Sequence, residues 1–169
     1  LGVGRISVDN FFELALLNEI AKSHKKVVDV LLRITPGIEC HTHEYIQTGH
    51  LDSKFGFDLT QIDDAVDLIL NDYTNLKLHG LHAHIGSQIF ETSIYGDEIE
   101  ILVKELSRLD EKFGLKLDEI NIGGGLGVKY INSDEPPSTF DIAEIVINRL
   151  NECIKKYNIE PPTPVSYTH

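Results

Sequence analysis

Two hydrophobic periods alternate along the chain, and that alternation leaves few folds open. Residues 4–9, 27–34, 76–85 and 119–122 read as short apolar strands. Between them, Phe11, Leu14, Leu17, Ile20 and Ala21 recur at helical spacing, as do Ile62, Ala65, Val66, Ile69 and Leu70. Ile99, Leu102, Leu106, Leu109 and Phe113 follow the spacing 3, 4, 3, 4, and Gly114 stands where a helix stops. Ile142, Val146, Leu150, Cys153 and Tyr157 mark a fourth helix before Pro161 and Pro162. Strands apolar on both faces, each followed by an amphipathic helix, belong to a parallel sheet covered by helices.

Four strand–helix units fill the chain at roughly 40 residues each, and a closed eight-stranded barrel takes about 250 residues. The expected fold is therefore α/β, a partial (β/α)8 TIM-type barrel of about four consecutive units, with its strands parallel and in chain order. An open doubly wound sheet is the competitor, but its glycine-rich turn follows the first strand, whereas here the glycines follow the fourth. The chain opens Leu-Gly-Val-Gly and contains no Met, which reads as an internal fragment.

Composition narrows the function. Fifteen basic residues against 27 acidic ones give a net charge of −12. That speaks against a nucleic-acid surface and against adhesion to anionic lipid. No apolar run approaches the roughly 20 residues of a membrane span. Cys40 and Cys153 are too few for a disulfide framework. A cytoplasmic location is expected.

In such folds the chemistry gathers at the C-terminal ends of the strands. The second strand ends at Arg33, the third in His82-Ala83-His84-Ile85-Gly86-Ser87-Gln88, and the fourth in Gly123-Gly124-Gly125-Leu126-Gly127. Glycines just after a strand let backbone N–H groups approach an anion, so this run reads as a phosphate cradle with Ser87 beside it. A tight turn is the plainer reading of the glycines alone. His82 and His84, two apart on a strand, face the same side. The pair, with the same spacing at His41 and His43, also fits a metal site, but no further ligands at later strand ends accompany it. No metal is expected; His84 against a flat ring, with His82 as its hydrogen-bonded support, needs fewer assumptions.

The motifs closely resemble those of the fold-type III pyridoxal-phosphate decarboxylases (alanine racemase-like barrels). Arg33-Ile34-Thr35-Pro36-Gly37-Ile38-Glu39-Cys40-His41-Thr42-His43, Tyr45-Ile46-Gln47-Thr48-Gly49, Asp52-Ser53-Lys54-Phe55-Gly56-Phe57, the His82–Gln88 block and the glycine run occur in the family's order. The His-Thr-His block and the Ser-Gln ending favour its diaminopimelate branch over the ornithine and arginine branches. The resemblance spans residues 2 to 162.

It implies pyridoxal 5'-phosphate as cofactor and meso-diaminopimelate, converted to L-lysine and CO2, as the parent protein's small-molecule substrate. It further implies a homodimer with shared active sites. His84 resembles the residue that stacks on the pyridine ring, and Arg33 the one that supports it. Ser87, Gly123, Gly124 and Gly125 resemble the phosphate ligands. His41, Thr42, His43 and Tyr45 resemble an active-site loop, and Lys54 a residue near the subunit interface. Decarboxylation of another basic amino acid, and a non-catalytic cofactor-binding barrel, are the alternatives. The family's Tyr-x-x-Lys-Ala motif, whose Lys binds the cofactor covalently, and its Glu-Pro-Gly-Arg segment are not found in these residues. Residues 1–162 are expected to be the partial barrel domain, and residues 163–169 a truncated end with a non-native tail.

Overall fold

A computed structural model describes residues 2–37 and 54–167. Strands β1 (Ile6–Val8), β2 (Val28–Thr35), β3 (Phe57–Asp58), β4 (Leu76–His82), β5 (Glu119–Asn121) and β6 (Thr163–Val165) alternate with helices. The helices are α1 (Phe11–Ser23), α2 (Ile62–Asn71), α3 (Ser93–Phe113) and α4 (Thr139–Tyr157). The main sheet runs β1-β2-β4-β5-β6, every pairing parallel, and the two-residue β3 pairs with the end of β2. Chain order is sheet order, as the alternation predicts, and this excludes the reversal of a doubly wound sheet.

The sheet curls. Neighbouring strands lie about 4.8 Å apart, so β1 and β5, three steps distant, would be about 14 Å apart in a flat sheet. Yet Arg5 Nε, one residue before β1, lies 3.1 Å from Glu119 Oε2 on β5. Ser7 Oγ on β1 likewise meets His82 Nδ1 on β4 at 2.7 Å. Contacts that skip the intervening strands require a concave inner face, the inside of a partial barrel.

Local chemistry sets the helix ends. Asn10 caps α1, its Oδ1 accepting from the Glu13 N–H, and Ser138 with Asp141 forms a capping box on α4. Gly114 closes α3 in the left-handed conformation at φ 68°. Leu81, Ile99, Leu102, Leu109 and Ile120 are fully buried in one core between the sheet and its helices. Cys153 lies in that core, on α4. Glu98 on α3 is completely buried, neither carboxylate oxygen has a hydrogen-bond partner among the described residues, and burial pushes its pKa well above the ordinary range.

The observed elements differ from the sequence reading in their bounds and in their number. β4 stops at His82 rather than Ile85, and α3 begins at Ser93, before the first regular apolar spacing. Two parallel strands stand beyond the four expected: β3 pairs with the end of β2, and β6, Thr163–Val165, pairs with β5 at Glu119–Asn121. Among the described residues no helix is long and apolar enough to cross a membrane.

Candidate functional site

Past His82 the chain leaves the strand but still follows its neighbour. The Ala83 N–H donates to the Asn121 carbonyl at 2.9 Å, and an isolated parallel bridge joins Ile89 to Leu126. Two loops, 83–89 after β4 and 122–128 after β5, thus run side by side at the C-terminal end of the sheet. Glycine is required where they touch. A Cβ on Gly125 (φ 81°) would land on the Gly86 carbonyl, and one on Gly123 (φ 69°) would sit 2.7 Å from the Ala83 carbonyl and 2.9 Å from His84 Nδ1. At Gly123 and Gly125 the missing side chains therefore make room for the neighbouring loop.

The two loops fix the His84 ring. Its Nδ1 accepts from the Gly124 N–H at 3.4 Å, which leaves the ring proton on Nε2 when the ring is neutral. Asn121 Oδ1 accepts from the Gly123 N–H at 2.9 Å, and the buried Tyr95 hydroxyl, reaching in from α3, donates to the Gly124 carbonyl at 3.3 Å. His84 is half-buried and Ser87 exposed. The β6 end covers the loop, for the Ser166 hydroxyl and the Tyr167 N–H both donate to the Gly123 carbonyl, at 2.8 and 3.0 Å. The Tyr167 ring stacks on His84, 22° from parallel with centroids 6.1 Å apart.

Arg33 stands opposite His82 in the β2–β4 register. Its guanidinium donates to Asp9 Oδ1 at 3.1 Å and lies over the Phe55 ring. His82 is buried, with Nδ1 on the Ser7 hydroxyl, and its pKa falls to about 4. Burial is the main cause, the charges of Arg33 and His84 add to it, and Asp9 opposes it. His82 is accordingly neutral near pH 7 and sits beside a cation without competing with it. Among the described residues no group of three or more His, Cys, Asp or Glu is placed to hold a metal, and the Nδ1 atoms of His82 and His84 meet Ser7 and the Gly124 N–H.

The structure thus brings His84, Ser87, the three glycines, His82 and Arg33 to one end of the sheet. His41, Thr42, His43, Tyr45 and Cys40 lie outside the described residues, and Lys54 is exposed. Sequence reasoning passed over Ser7, Asp9, Asn121, Tyr95 and Gln88 as site-building residues. Alternation along β1 and β5 carries a signal for the first three, since Ser7 and Asp9 share a face and Asn121 ends its strand just before the glycines. Tyr95 has no such signal, because only helix packing aims it at Gly124.

This arrangement offers a flat, oriented imidazole, an exposed hydroxyl and a glycine loop within one small region, the groups that suit a planar ring carrying a phosphate. The model for the pyridoxal-binding domain of pyridoxal-dependent decarboxylases matches residues 1–162. The chain is 48% identical over 157 residues to the diaminopimelate decarboxylase of Synechocystis sp., covering 93% of this chain and 33% of that protein. It is 41% identical over 162 residues to the Bacillus subtilis enzyme of the same name, covering 95% and 37%. It therefore spans about a third of the length of these curated relatives. The crystal structure of diaminopimelate decarboxylase from M. jannaschii in complex with L-lysine superposes with a TM-score of 0.83 at 31% identity, over 97% of this chain and 37% of that one. The Helicobacter pylori enzyme complexed with L-lysine gives 0.76 at 27%, over 96% and 39%. With its motifs, its parallel half-barrel and its matched domain in agreement, the chain belongs to the pyridoxal-dependent decarboxylases, as a part of their pyridoxal-binding domain.

Proposed function

We propose that the chain is part of a diaminopimelate decarboxylase and supplies one wall of its pyridoxal phosphate site. The observation that carries this reading is the His84 ring, locked onto the glycine loop through the Gly124 N–H. His84 stacks on the pyridine ring, as the Tyr167 ring stacks on it in the chain alone. Ser87 and the loop of Gly123, Gly124 and Gly125 receive the phosphate. Gly123 and Gly124 already donate to Asn121 and His84, so their amides orient the loop, and Ser87 offers the freely exposed donor.

When bound, the cofactor withdraws the electrons left behind as the carboxylate departs from the amino acid. The chain's own share is to bind and orient. Asp9 holds Arg33, Ser7 holds His82, and His82 stays neutral, so the charge behind the ring is fixed and does not change with small shifts in pH. We place the parent protein in the cytoplasm as a homodimer, and we read residues 163–169 as a non-native end occupying the fifth place in the main sheet. Neither the Tyr-x-x-Lys-Ala nor the Glu-Pro-Gly-Arg motif is found in the 169 residues, so the chain by itself is not expected to decarboxylate.

A chimera tests the reading: residues 1–162 replace the matching segment of the Bacillus subtilis enzyme. It should bind pyridoxal phosphate and release CO2 from meso-diaminopimelate. A chimera that binds the cofactor but acts on ornithine or arginine instead would overturn the substrate. CO2 release by the 169-residue chain alone would overturn its role as a part.

A further inference from the structure

The Ser-Gln ending of the β4 loop contains a residue that the cofactor reading leaves without a role. Gln88 holds φ 56°, a left-handed conformation that costs a side-chain-bearing residue energy. Its amide accounts for that conformation. Oε1 accepts from the Val128 N–H at 2.9 Å and Nε2 donates to the Val128 carbonyl at 3.0 Å, so one side chain satisfies both backbone groups of one residue. Next to it, the Ile89 N–H donates to the Gly125 carbonyl at 2.9 Å and the Gly127 N–H donates to the Ile89 carbonyl at 3.0 Å. Four hydrogen bonds therefore zip 88–89 to 125–128, with the Gln88 amide acting as a substitute peptide at the end of the ladder. The fit is close, since a Cβ on Gly127 would lie 2.9 Å from the Ile89 carbonyl.

We propose that Gln88 is a positioning residue for the phosphate end of the site, clamping the Ser87 loop to the glycine loop at a fixed spacing. The proposal rests on reading Ser87 and the glycines as the phosphate site. Ser87, adjacent to the clamp, is exposed, so its hydroxyl takes its place from the backbone that Gln88 holds. The chemistry is specific to glutamine. Glutamate has no donor for the Val128 carbonyl, asparagine is a methylene shorter, and alanine has neither group.

The test uses the 169-residue chain and its Q88A and Q88E variants. Amide chemical shifts of Ser87, Gly123, Gly124 and Gly125 are followed during titration with pyridoxal phosphate, pyridoxal and inorganic phosphate. Hydrogen exchange of the Ile89, Gly127 and Val128 amides is followed without ligand. Loss of two hydrogen bonds should weaken pyridoxal phosphate and inorganic phosphate about tenfold in Q88A, leave pyridoxal unchanged, and speed exchange at the three amides. Q88E, close in size, tests the clamp where Q88A fails to fold, and should weaken the two phosphate ligands in the same selective way. Equal weakening of pyridoxal and pyridoxal phosphate makes Gln88 merely structural and overturns the proposal. So does phosphate binding of undiminished affinity in either variant. If the unsubstituted chain shows no shift with either phosphate ligand, the phosphate reading itself fails and takes this proposal with it.

Discussion

At the N-terminal ends of the strands, Arg5, Asp29, His79, Asp118 and Glu119 answer one another, whereas at the C-terminal ends similar side chains are held apart and aimed. Arg5 bridges Asp29 at 3.2 Å and Glu119 at 3.1 Å, and His79 meets Asp29 and Asp118 with its two ring nitrogens, both at 2.9 Å. Three carboxylates are tied to one guanidinium and one imidazole, so the polar groups of the cluster are spent on one another. At the other end His82 is buried beside Arg33 rather than beside a carboxylate pair, and His84 points a nitrogen at a backbone N–H. One end spends its polar groups on holding strands together. The other accepts a less favourable electrostatic arrangement, with a neutral His82 beside Arg33, an imidazole ring stacked by Tyr167 and an exposed Ser87, the pattern expected of a site.

The sharpest way to break this comparison is Gly125→Ala. The new methyl would strike the Gly86 carbonyl from a positive-φ position, so the loss should be about 3 kcal/mol or more, measured by urea unfolding. Pyridoxal phosphate binding should vanish with it. A stable, binding-competent G125A chain would show that the loops at the C-terminal end are not closely packed.

Acid separates the two ends next. The folded pKa of His82 lies below its ordinary 6.5, at about 4, so the folded state resists a proton that the unfolded state takes up. The contribution of His82 is therefore complete above pH 6.5 and falls as pH drops toward 4, by about 3 kcal/mol. His82→Gln should flatten that window. The N-terminal cluster responds lower: the hydrogen bond from His79 holds the Asp118 carboxyl below its ordinary 3.8, so its contribution is present above that pH and is lost as pH falls further. Because buried Glu98 gains stability as pH falls through the same window, the check is the difference between the two chains. An H82Q chain that loses as much stability between pH 7 and 4 as the unsubstituted one would contradict the placement of His82.

The smallest effect sharpens the comparison. Arg5→Ala removes two ion pairs, but its side chain is a third exposed and screened by solvent, so about 1 kcal/mol is expected. Cofactor affinity, read by absorbance titration, should not move. A change in affinity would mean that the two ends are coupled through the strands.

Much of this was legible from residue order. The alternation of periods set the parallel sheet and its strand order, Gly114 set a helix end, and the blocks holding His84, Ser87 and the glycine run marked the functional end, because each depends on neighbours close in the chain. Residue order did not reveal why the glycines are needed. Gly125 avoids a carbonyl 39 residues away in the chain, and that contact exists only once β4 and β5 pair. The same limit applies to Ser7 with His82, Asp9 with Arg33 and Tyr95 with Gly124, and to the fifth strand, whose three residues carry too short a pattern to read. The sequence alone determined the four strand–helix units and the order of their strands, since local periodicity and turn chemistry are written in consecutive residues. Only the tertiary structure decided which polar groups cancel and which stay available, because that depends on the curl of the sheet bringing strands two and three positions apart into contact.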